Sequence, residues 1–362
     1  MAKQKSTPPA KAIPKPTQKQ LCQTPVRALA PLSHTVMADP LRASAIILTS
    51  SKWLNGTVLH YCFITHGHYS IPKKQADAVR NAFAKWKAVG IGLDFKEVHQ
   101  LSEAEVRIGF SLADGGSYSS VGRDVLKVPT NQPTTVYGWD LTTPYGSGTA
   151  LHELGHVLGL EHEHQSPFAG IEWNEDAVYA SLGAPPNSWS RAMIFQNILQ
   201  KLTAQQVQGS NWDPDSIMEY EFEAGLIVKP PQYSGGLIPP GTLSATDKAW
   251  AVKWYPGSPA APRALEPFHP AVLDLAMGQQ ADFSIKPTAS RKYTIETKGP
   301  SDAVLVLFED IDGEHKYLSG DDDSGEERNA SISYKLFEGR KYVARLRVCH
   351  PGVTGKTSVT VS

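Results

Sequence analysis

The sequence contains few cysteines, with only Cys22, Cys62 and Cys349 in 362 residues. Their number is odd and they are widely spaced, which excludes both a disulfide framework and a cysteine-rich zinc module. At least one thiol must therefore stay free or pair outside the chain.

The chain also lacks a long apolar run and an excess of charge of one sign. No stretch approaches the ~20 apolar residues of a membrane-spanning helix, so we expect no membrane partner. The formal net charge is −1, so no overall field favours nucleic acid as a partner. The length and the 41% hydrophobic content are sufficient for two domains with a core each. We expect a monomer.

One thirteen-residue stretch, HELGHVLGLEHEH, carries recognisable chemistry. His152 and His156 are four residues apart, so on an α-helix both imidazoles project from one face and can hold one metal ion. Glu153 lies beside that ion, where a carboxylate can take a proton from a bound water. Gly159 lets the helix stop and the chain turn, which brings His162 back as a third ligand. Three imidazoles with one open position are typical of a catalytic zinc site.

The extended pattern H-E-x-x-H-x-x-G-x-x-H resembles that of the metzincin metalloproteases. That family has a later turn carrying a methionine beneath the metal, and this sequence supplies Ser216, Met218 and Tyr220 in the form S-x-M-x-Y. This form is most similar to the astacin group, as is Glu163 directly after the third histidine. Residues 52–256 contain a single cysteine, which favours the bacterial, disulfide-poor branch.

The resemblance implies a zinc-dependent endopeptidase that cleaves protein or peptide substrates. One catalytic Zn²⁺ would be bound by His152, His156 and His162, and Glu153 would act as the general base. Tyr220 would be a switchable zinc ligand that donates to the oxyanion. Met218 would form an apolar floor under the imidazoles.

Two alternatives remain open at the level of the sequence. One is a catalytically silent binding protein with the protease fold, which usually lacks the glutamate or a ligand; here all of them are present. The other is a zinc hydrolase of a non-peptide substrate. The resemblance also implies a secreted protein, although no signal peptide is visible because the apolar residues 43–48 are too few and too late.

The first 38 residues contain six Lys or Arg and no acidic residue. Such a composition cannot offset the entropy of ordering, so residues 1–50 are predicted to be a disordered or extended basic arm. A solvated tail is the favoured interpretation, and a propeptide that blocks the zinc is the alternative. In a propeptide, Cys22 could cover the metal as a thiolate. By resemblance, Glu163 would pair with a new N-terminus near residues 40–52.

The predicted fold class is α+β. A metzincin-like protease domain with a twisted mixed sheet and helices spans residues 51–257 and is followed by a linker at 258–264. An all-β sandwich domain then spans residues 265–362.

Alternating and helical patterns predict the elements of the protease domain. Strands are expected at residues 57–64, 93–98 and 105–110, and helices at 72–89, 192–202 and 243–254. Ser147 or Thr149 is expected to cap the zinc helix, and Ser244 with Asp247 to form a capping box. The edge strand that a substrate peptide could extend is expected at residues 118–122 or 135–139. His164 is expected to be exposed or to lie beside the ligands without binding metal.

The C-terminal region changes to period-two alternation split by turns. Strands are expected at residues 281–285, 291–297, 303–309, 330–334, 340–348 and 357–361. The acidic run around residues 319–325 and the later residues 338–346 resemble the pre-peptidase C-terminal domains of bacterial proteases. Asp321, Asp322 and Asp323 could bind Ca²⁺, but a solvated acidic turn is the favoured interpretation.

Overall fold

A computed structural model describes residues 21–22, 52–53, 55–202, 211–257, 262–275, 280–301, 303–321, 324–325, 329–348 and 356–362. A mixed half with helices and a five-stranded sheet is followed by a separate all-β region. The predicted α+β class is therefore confirmed. In the part of the chain that the structure describes, none of the helices has both the length and the apolar character that crossing a membrane requires.

The first sheet has the order β2-β1-β3-β5-β4. Its strands are β1 Val58–Phe63, β2 Asp94–Glu97, β3 Val106–Phe110, β4 Tyr118–Ser119 and β5 Thr135–Tyr137. The first, second, third and fifth strands run parallel, and β4 pairs antiparallel with β5. Of the two regions expected at the edge, residues 118–122 supply the edge strand. The region 135–139 is wrong for that role, because β5 lies between two partners.

Helix α1, Lys73–Ala88, packs the sheet against the zinc helix. Its buried face includes Val79, Phe83 and Trp86, at the helical spacing that the sequence predicts. The indole of Trp86 donates a hydrogen bond to the carbonyl of Leu151 at 3.0 Å. The zinc helix is thereby held to the core by a buried bond as well as by apolar contact.

The zinc helix, α2, spans Pro144–Val157, and its start differs from the prediction. Thr143 is the N-cap, and its hydroxyl accepts a hydrogen bond from the N–H of Gly146 at 3.0 Å. Ser147 and Thr149 therefore lie inside the helix, and the predicted cap is wrong. The reason is Pro144, whose fixed φ suits the first helical position and starts the helix one turn earlier.

The segment after α2 forms a second apolar cluster around short elements. They are α3 Glu175–Leu182, α4 Arg191–Ile194, a π-helix Phe195–Leu199, and the strands β6 Glu172–Trp173 and β7 Ile227–Lys229. The helix predicted at residues 192–202 is therefore one α-helical turn followed by a π-helix. Helix α5, Ala245–Trp254, begins with the predicted capping box of Ser244 and Asp247.

The C-terminal region is a sandwich of two sheets around one apolar core. One sheet contains β8 Arg263–Ala264, β10 Gln280–Ile285, β12 Ala303–Ile311, β13 Glu314–Asp321 and β15 Lys341–Val348; the other contains β9 Ala271–Asp274, β11 Arg291–Lys298, β14 Ser331–Leu336 and β16 Lys356–Val361. Each predicted strand overlaps one of these. The predicted linker at 258–264 extends too far, because β8 pairs with β10.

The acidic turn binds its own main chain where it is described. One carboxylate oxygen of Asp321 accepts hydrogen bonds from the N–H groups of Ser324 and Ser331, at 3.0 and 2.8 Å. These hydrogen bonds hold the chain at Asp321, and the choice between a turn and a Ca²⁺ site stays a prediction. Asp322 and Asp323 lie outside the described residues, as does Cys349.

Candidate active site

The three predicted metal ligands lie together at the end of α2. His152 and His156 project from one helix face, and Gly159, at φ +94°, ends the helix so that His162 returns to them. The ring Nε2 atoms of His156 and His162 are 3.1 Å apart. The ligand atoms of Cys22, His152, His156 and His162 all lie within 4.8 Å of one another.

Each of these imidazoles uses its other nitrogen to contact an oxygen. The Nδ1 atom of His152 lies 2.7 Å from the carbonyl of Ile217, and that of His156 lies 2.9 Å from the carbonyl of Leu160, just beyond the end of α2. Because carbonyl oxygens only accept, each Nδ1 carries the proton and each Nε2 presents a lone pair. Burial lowers the pKa of His152 to about 4, which keeps the ring neutral.

The donor set fits a zinc ion. Two Nε2 lone pairs that face one another at 3.1 Å would be stabilised by a cation between them, and neutral imidazoles are common zinc ligands. In a tetrahedral site, Zn–N distances of ~2.0–2.1 Å and a Zn–S distance of ~2.3 Å place neighbouring ligand atoms about 3.3–3.6 Å apart. The Sγ atom of Cys22 lies 3.2, 3.9 and 3.4 Å from the Nε2 atoms of His152, His156 and His162. The four atoms thus resemble the corners of one tetrahedron.

Glu153 is fully buried beside this cluster. Neither of its carboxylate oxygens has a hydrogen-bond partner among the described residues. Burial raises the pKa of this carboxyl well above its ordinary value, and the proximity of the Cys22 thiol lowers it in part. A buried carboxylate with unused oxygens and a raised pKa is suited to accept and release a proton.

Met218 lies under α2, where its sulfur fills the space beside Gly155. A Cβ atom at Gly155 would be 2.3 Å from the Met218 sulfur. The main-chain carbonyl of Met218 accepts a hydrogen bond from the N–H of Glu163 at 3.1 Å. The methionine turn is therefore fixed to both the zinc helix and the segment that carries the third histidine.

The carboxylate of Asp247 holds this turn from below. It accepts hydrogen bonds from the hydroxyl of Ser216 at 2.7 Å and from the N–H of Ile217 at 2.8 Å. The same carboxylate completes the capping box of α5. The closing helix thus positions the turn whose carbonyl orients His152.

Tyr220 reaches the ligand cluster from the methionine turn. Its ring centroid is 4.4 Å from that of His162. Its hydroxyl donates a hydrogen bond to the main-chain carbonyl of Cys22 at 2.8 Å and lies 3.2 Å from the Cys22 sulfur. Burial raises the pKa of the phenol well above its ordinary value, so the group is a proton donor.

Cys22 and Leu21 are the described residues of the N-terminal arm, and both are buried in the cleft. The favoured interpretation of a solvated tail is wrong for these two residues, because an apolar side chain and a soft metal ligand both gain from this environment. Among the protein groups alone, burial and then the charge of Glu153 raise the pKa of the thiol.

Two residues beside the third histidine complete the site. His164 is fully buried, with Nε2 2.8 Å from the carbonyl of Asn197 and Nδ1 3.2 Å from a carboxylate oxygen of Glu219. Its two ring nitrogens thus face Asn197 and Glu219, and the expectation that it binds no metal stays a prediction. Glu163 accepts a hydrogen bond from the N–H of Asp213, and burial raises its pKa to about 7.

The sequence pattern missed Gln165 and Asn187. The amide oxygen of Gln165 lies 3.4 Å from Nδ1 of His162, and Asn187 contacts the arm. The three-residue spacing of Gln165 from His162 within a 3₁₀ turn could have revealed the first. No local pattern marks Asn187, which approaches from a distant loop.

A cavity of about 450 Å³ adjoins His152 and Tyr220. Its walls include Pro239 and the stacked rings of Trp139 and Tyr145, whose centroids are 5.7 Å apart. The edge strand β4 packs beside α2. The site therefore combines a cluster of potential metal ligands, an apolar side-chain pocket and a strand edge that a peptide can extend.

Comparisons with known proteins agree with this arrangement. A sequence model described as Astacin (Peptidase family M12A) matches residues 46–226. A solved structure of myroilysin is similar at 31% identity and a TM-score of 0.52, covering 58% of this chain and 98% of that chain. Karilysin from Tannerella forsythia is 27% identical over an alignment of 139 residues, and the match covers 33% of this chain and 28% of karilysin. The chain thus spans less than a third of karilysin.

The C-terminal sandwich has a weaker similarity. The pre-peptidase C-terminal domain of a collagenase from Bacillus anthracis covers 29% of this chain at 13% identity and a TM-score of 0.25. This overlap is too low to assign a type, so the predicted pre-peptidase C-terminal type stays a prediction.

Proposed function

The chain belongs to the astacin family of peptidases, and we propose that it is a zinc-dependent endopeptidase acting on protein substrates. The observation that carries this proposal is the convergence of three Nε2 lone pairs beside a buried carboxylate. His152, His156 and His162 would hold the ion. Zinc, when bound in such a site, polarises the scissile carbonyl and lowers the pKa of water towards ~7.

Glu153 performs the proton transfers in this proposal. Its carboxylate takes a proton from the attacking water as the water oxygen bonds to the scissile carbon. It then gives that proton to the nitrogen of the leaving amine as the C–N bond breaks. The raised pKa of Glu153 favours this proton transfer, because a strongly acidic carboxyl would hold the proton from the water too weakly to pass it on to the amine.

Tyr220 supplies the donor for the negative charge that develops on the substrate carbonyl. The hydroxyl already donates to a peptide carbonyl in this structure, that of Cys22. A phenol with a raised pKa keeps its proton and can donate it to an oxyanion.

The described chain corresponds to a latent form in this proposal. The sulfur of Cys22 takes the fourth corner of the ligand set, where the reacting water and carbonyl must enter. Removal of the arm would open the cleft, and a new N-terminus near residues 40–52 would pair with Glu163. We also propose that the enzyme acts outside the cell, in line with the family resemblance.

Replacement of the base tests the proposal directly. Glu153→Gln is expected to keep one zinc per chain and to lose at least about three orders of magnitude of turnover, since it removes the proton acceptor but not a ligand. The measurements are casein cleavage and metal content, with a chelator followed by added zinc as the control for metal dependence. Normal casein cleavage by the variant would disprove the role of Glu153. Cleavage unaffected by chelation would disprove the zinc mechanism.

A further inference from the structure

The turn after the zinc helix must satisfy the carbonyl groups at the helix end. The last carbonyls of an α-helix find no partner within the helix, so they need donors from elsewhere. The N–H of Leu160 donates to the carbonyl of Gly155 at 3.0 Å. The N–H of Gly159 donates to the carbonyl of His156 at 2.8 Å. With Gly159 at φ +94°, these two bonds form a Schellman motif, which accounts for two of the carbonyls at the helix end.

Two aromatic side chains, Trp53 and Tyr255, satisfy the next two carbonyls. The indole of Trp53 donates to the carbonyl of Val157 at 2.7 Å. The hydroxyl of Tyr255 donates to the carbonyl of Leu158 at 2.6 Å and accepts a hydrogen bond from the main-chain N–H of Trp53 at 3.2 Å. Burial raises the pKa of the Tyr255 phenol above its ordinary value, so the hydroxyl keeps the proton that it donates. Because both side chains are buried, loss of either donor would leave a buried carbonyl without its partner, which is costly.

This turn carries the groups that set two of the three proposed ligands. The carbonyl of Leu160 lies 2.9 Å from Nδ1 of His156 and so orients that ring. His162, the third proposed ligand, follows Leu160 by two residues. A displacement of residues 157–160 would therefore move both the acceptor that orients His156 and the start of the segment that presents His162. Contacts that orient metal-binding histidines affect metal affinity about 10–100-fold.

The sandwich contacts the same structure through the main chain next to Trp53. A guanidinium nitrogen of Arg345 on β15 donates to the carbonyl of Asn55, two residues after Trp53. The side-chain amide of Asn55 in turn donates to the carbonyl of Pro256, the residue after Tyr255, at 2.7 Å. The segments that carry Trp53 and Tyr255 are thus joined to each other and to the sandwich.

We infer that Trp53 and Tyr255 are positioning residues of the proposed zinc site, and that the sandwich supports the site through them. Neither residue supplies an atom to the ligand cluster. They hold the turn between the second and third histidines, and Arg345 holds the segment from which Trp53 comes. The inference rests on the proposed zinc-dependent function and deepens it, because it assigns the C-terminal sandwich a part in metal binding.

Removal of one hydroxyl tests the role of Tyr255. Tyr255→Phe keeps the ring and loses the donor to Leu158. In the full chain we expect zinc binding, measured by competition with a chelator, to weaken about tenfold, because the turn no longer fixes His156 and His162. The variant loaded with Co²⁺ should also show a changed visible absorption spectrum, since that spectrum reports the geometry of the ligands. Trp53→Phe, which removes the indole donor, is a second, independent variant and should change both measurements in the same direction.

A tyrosine of the sandwich provides the matched control. Tyr293 is buried, and its hydroxyl donates to the carbonyl of Ala289 at 3.2 Å. Tyr293→Phe loses a comparable hydrogen bond and should leave the zinc affinity and the Co²⁺ spectrum unchanged, even if the melting temperature falls. A wild-type zinc affinity together with a wild-type spectrum in folded Tyr255→Phe or Trp53→Phe would overturn the positioning role of that residue.

The link with the sandwich is tested by a variant that leaves no charge buried. Arg345→Met with Asp282→Leu removes a buried ion pair together with the donor to Asn55. We expect zinc binding by this double variant to be about threefold weaker, because the segment that carries Trp53 loses its anchor. Arg340→Ala, which breaks a pair exposed on the arginine side, should leave zinc binding unchanged. Unchanged zinc binding in the double variant would overturn the link.

Failure of the proposed function would be recognised separately. A wild-type chain that binds no zinc would disprove that function. Amide hydrogen exchange in the metal-free chain would still test the inference, because Tyr255→Phe should speed exchange at Gly159 and Leu160 about fivefold and Tyr293→Phe should not. Equal exchange rates at these two amides in Tyr255→Phe and wild type would overturn it.

Discussion

Burial and metal binding have opposite effects on the pKa of the Cys22 thiol. Burial raises its pKa, and with it the cost of forming the thiolate. A zinc ligand, however, must be a thiolate, and zinc deprotonates a coordinating thiol outright. The sulfur therefore binds strongly only when the three imidazoles hold an ion. Latency in the proposed function depends on this coupling.

Replacement of this thiol should activate the full chain. Cys22→Ser removes the sulfur ligand, so a water can compete for the fourth position while the arm is still attached. We expect casein cleavage by the unprocessed chain to rise at least about tenfold over unprocessed wild type. Zinc content should stay at one per chain, because the imidazoles remain.

Cys62→Ser is the matched control for this change. Cys62 is also a buried free thiol, but its sulfur contacts the carbonyl of Phe63 in β1 rather than the metal cluster. This variant should leave the unprocessed chain latent. If Cys22→Ser were as inert as unprocessed wild type, the thiol would not be what blocks the site.

Residues that belong to one local pattern could be placed from the sequence. His152, Glu153 and His156 share one helix face, and His162 follows from the turn at Gly159. Residues supplied by distant loops could not be placed this way. Cys22 and Asn187 are 165 positions apart, and only the folded chain brings them to the same cleft.

At the scale of secondary structure, the zinc helix and the methionine turn are fitted to each other at one point. Gly155 provides the space that the sulfur of Met218 occupies, and Met218 is fully buried. Neither element can shift without loss of packing, because protein interiors have few voids. The orientation of His152 depends on this fit, since its Nδ1 contacts the carbonyl of Ile217 in that turn.

Filling this space should destabilise the protein. Gly155→Ala gains about 1 kcal/mol of helix propensity. However, the added methyl group would lie 2.3 Å from the buried Met218 sulfur, and such overpacking costs about 1–3 kcal/mol. Because the sulfur has no solvent to move into, we expect a lower urea midpoint and weaker zinc binding. Gly235→Ala is the control, because a Cβ there meets no atom within 4 Å. A Gly155→Ala variant more stable than wild type would contradict this account.

Element types followed from sequence periodicity, but element ends depended on caps and neighbours. Residues 72–89 were predicted as a helix because apolar residues recur every three or four positions, and α1 lies there. The zinc helix began earlier than predicted because Thr143 and Pro144 form its start. The edge strand required the pairing of β4 with β5, which depends on the whole sheet.

At the scale of the whole molecule, one buried ion pair of the sandwich also contacts the protease half. Arg345 on β15 donates two hydrogen bonds to the carboxylate of Asp282 on β10, at 2.8 and 2.6 Å. A third nitrogen of the same guanidinium donates to the main-chain carbonyl of Asn55. Arg345 and Asp282 are 3% and 6% exposed. The sandwich is therefore attached to the chain just before β1, close to the predicted cleavage region.

The sequence did not indicate this contact, because alternation identifies strands but not which sheet face meets another domain. The face that carries Arg345 also has a small apolar cluster of Val306, Phe308 and Val343. A strand with both faces buried loses the polar side of its period-two pattern. Tertiary packing, and not the sequence pattern, then determines which part of the protein covers that second face.

Breaking the ion pair should loosen both halves of the molecule. Arg345→Ala leaves the Asp282 carboxylate buried without its partner, which costs about 3–5 kcal/mol, and it removes the donor to Asn55. We expect a lower melting temperature and faster trypsin cleavage between the protease half and the sandwich. Arg340→Ala is the control, because its pair with Glu309 is exposed on the arginine side and its loss should change stability by less than about 1 kcal/mol.

A double replacement separates the two roles of Arg345. Arg345→Met with Asp282→Leu should recover much of the stability of the sandwich, since neither charge remains buried. It should not recover the protection from trypsin, since the contact with Asn55 stays absent. Full recovery of both properties would show that the guanidinium does not hold the two halves together.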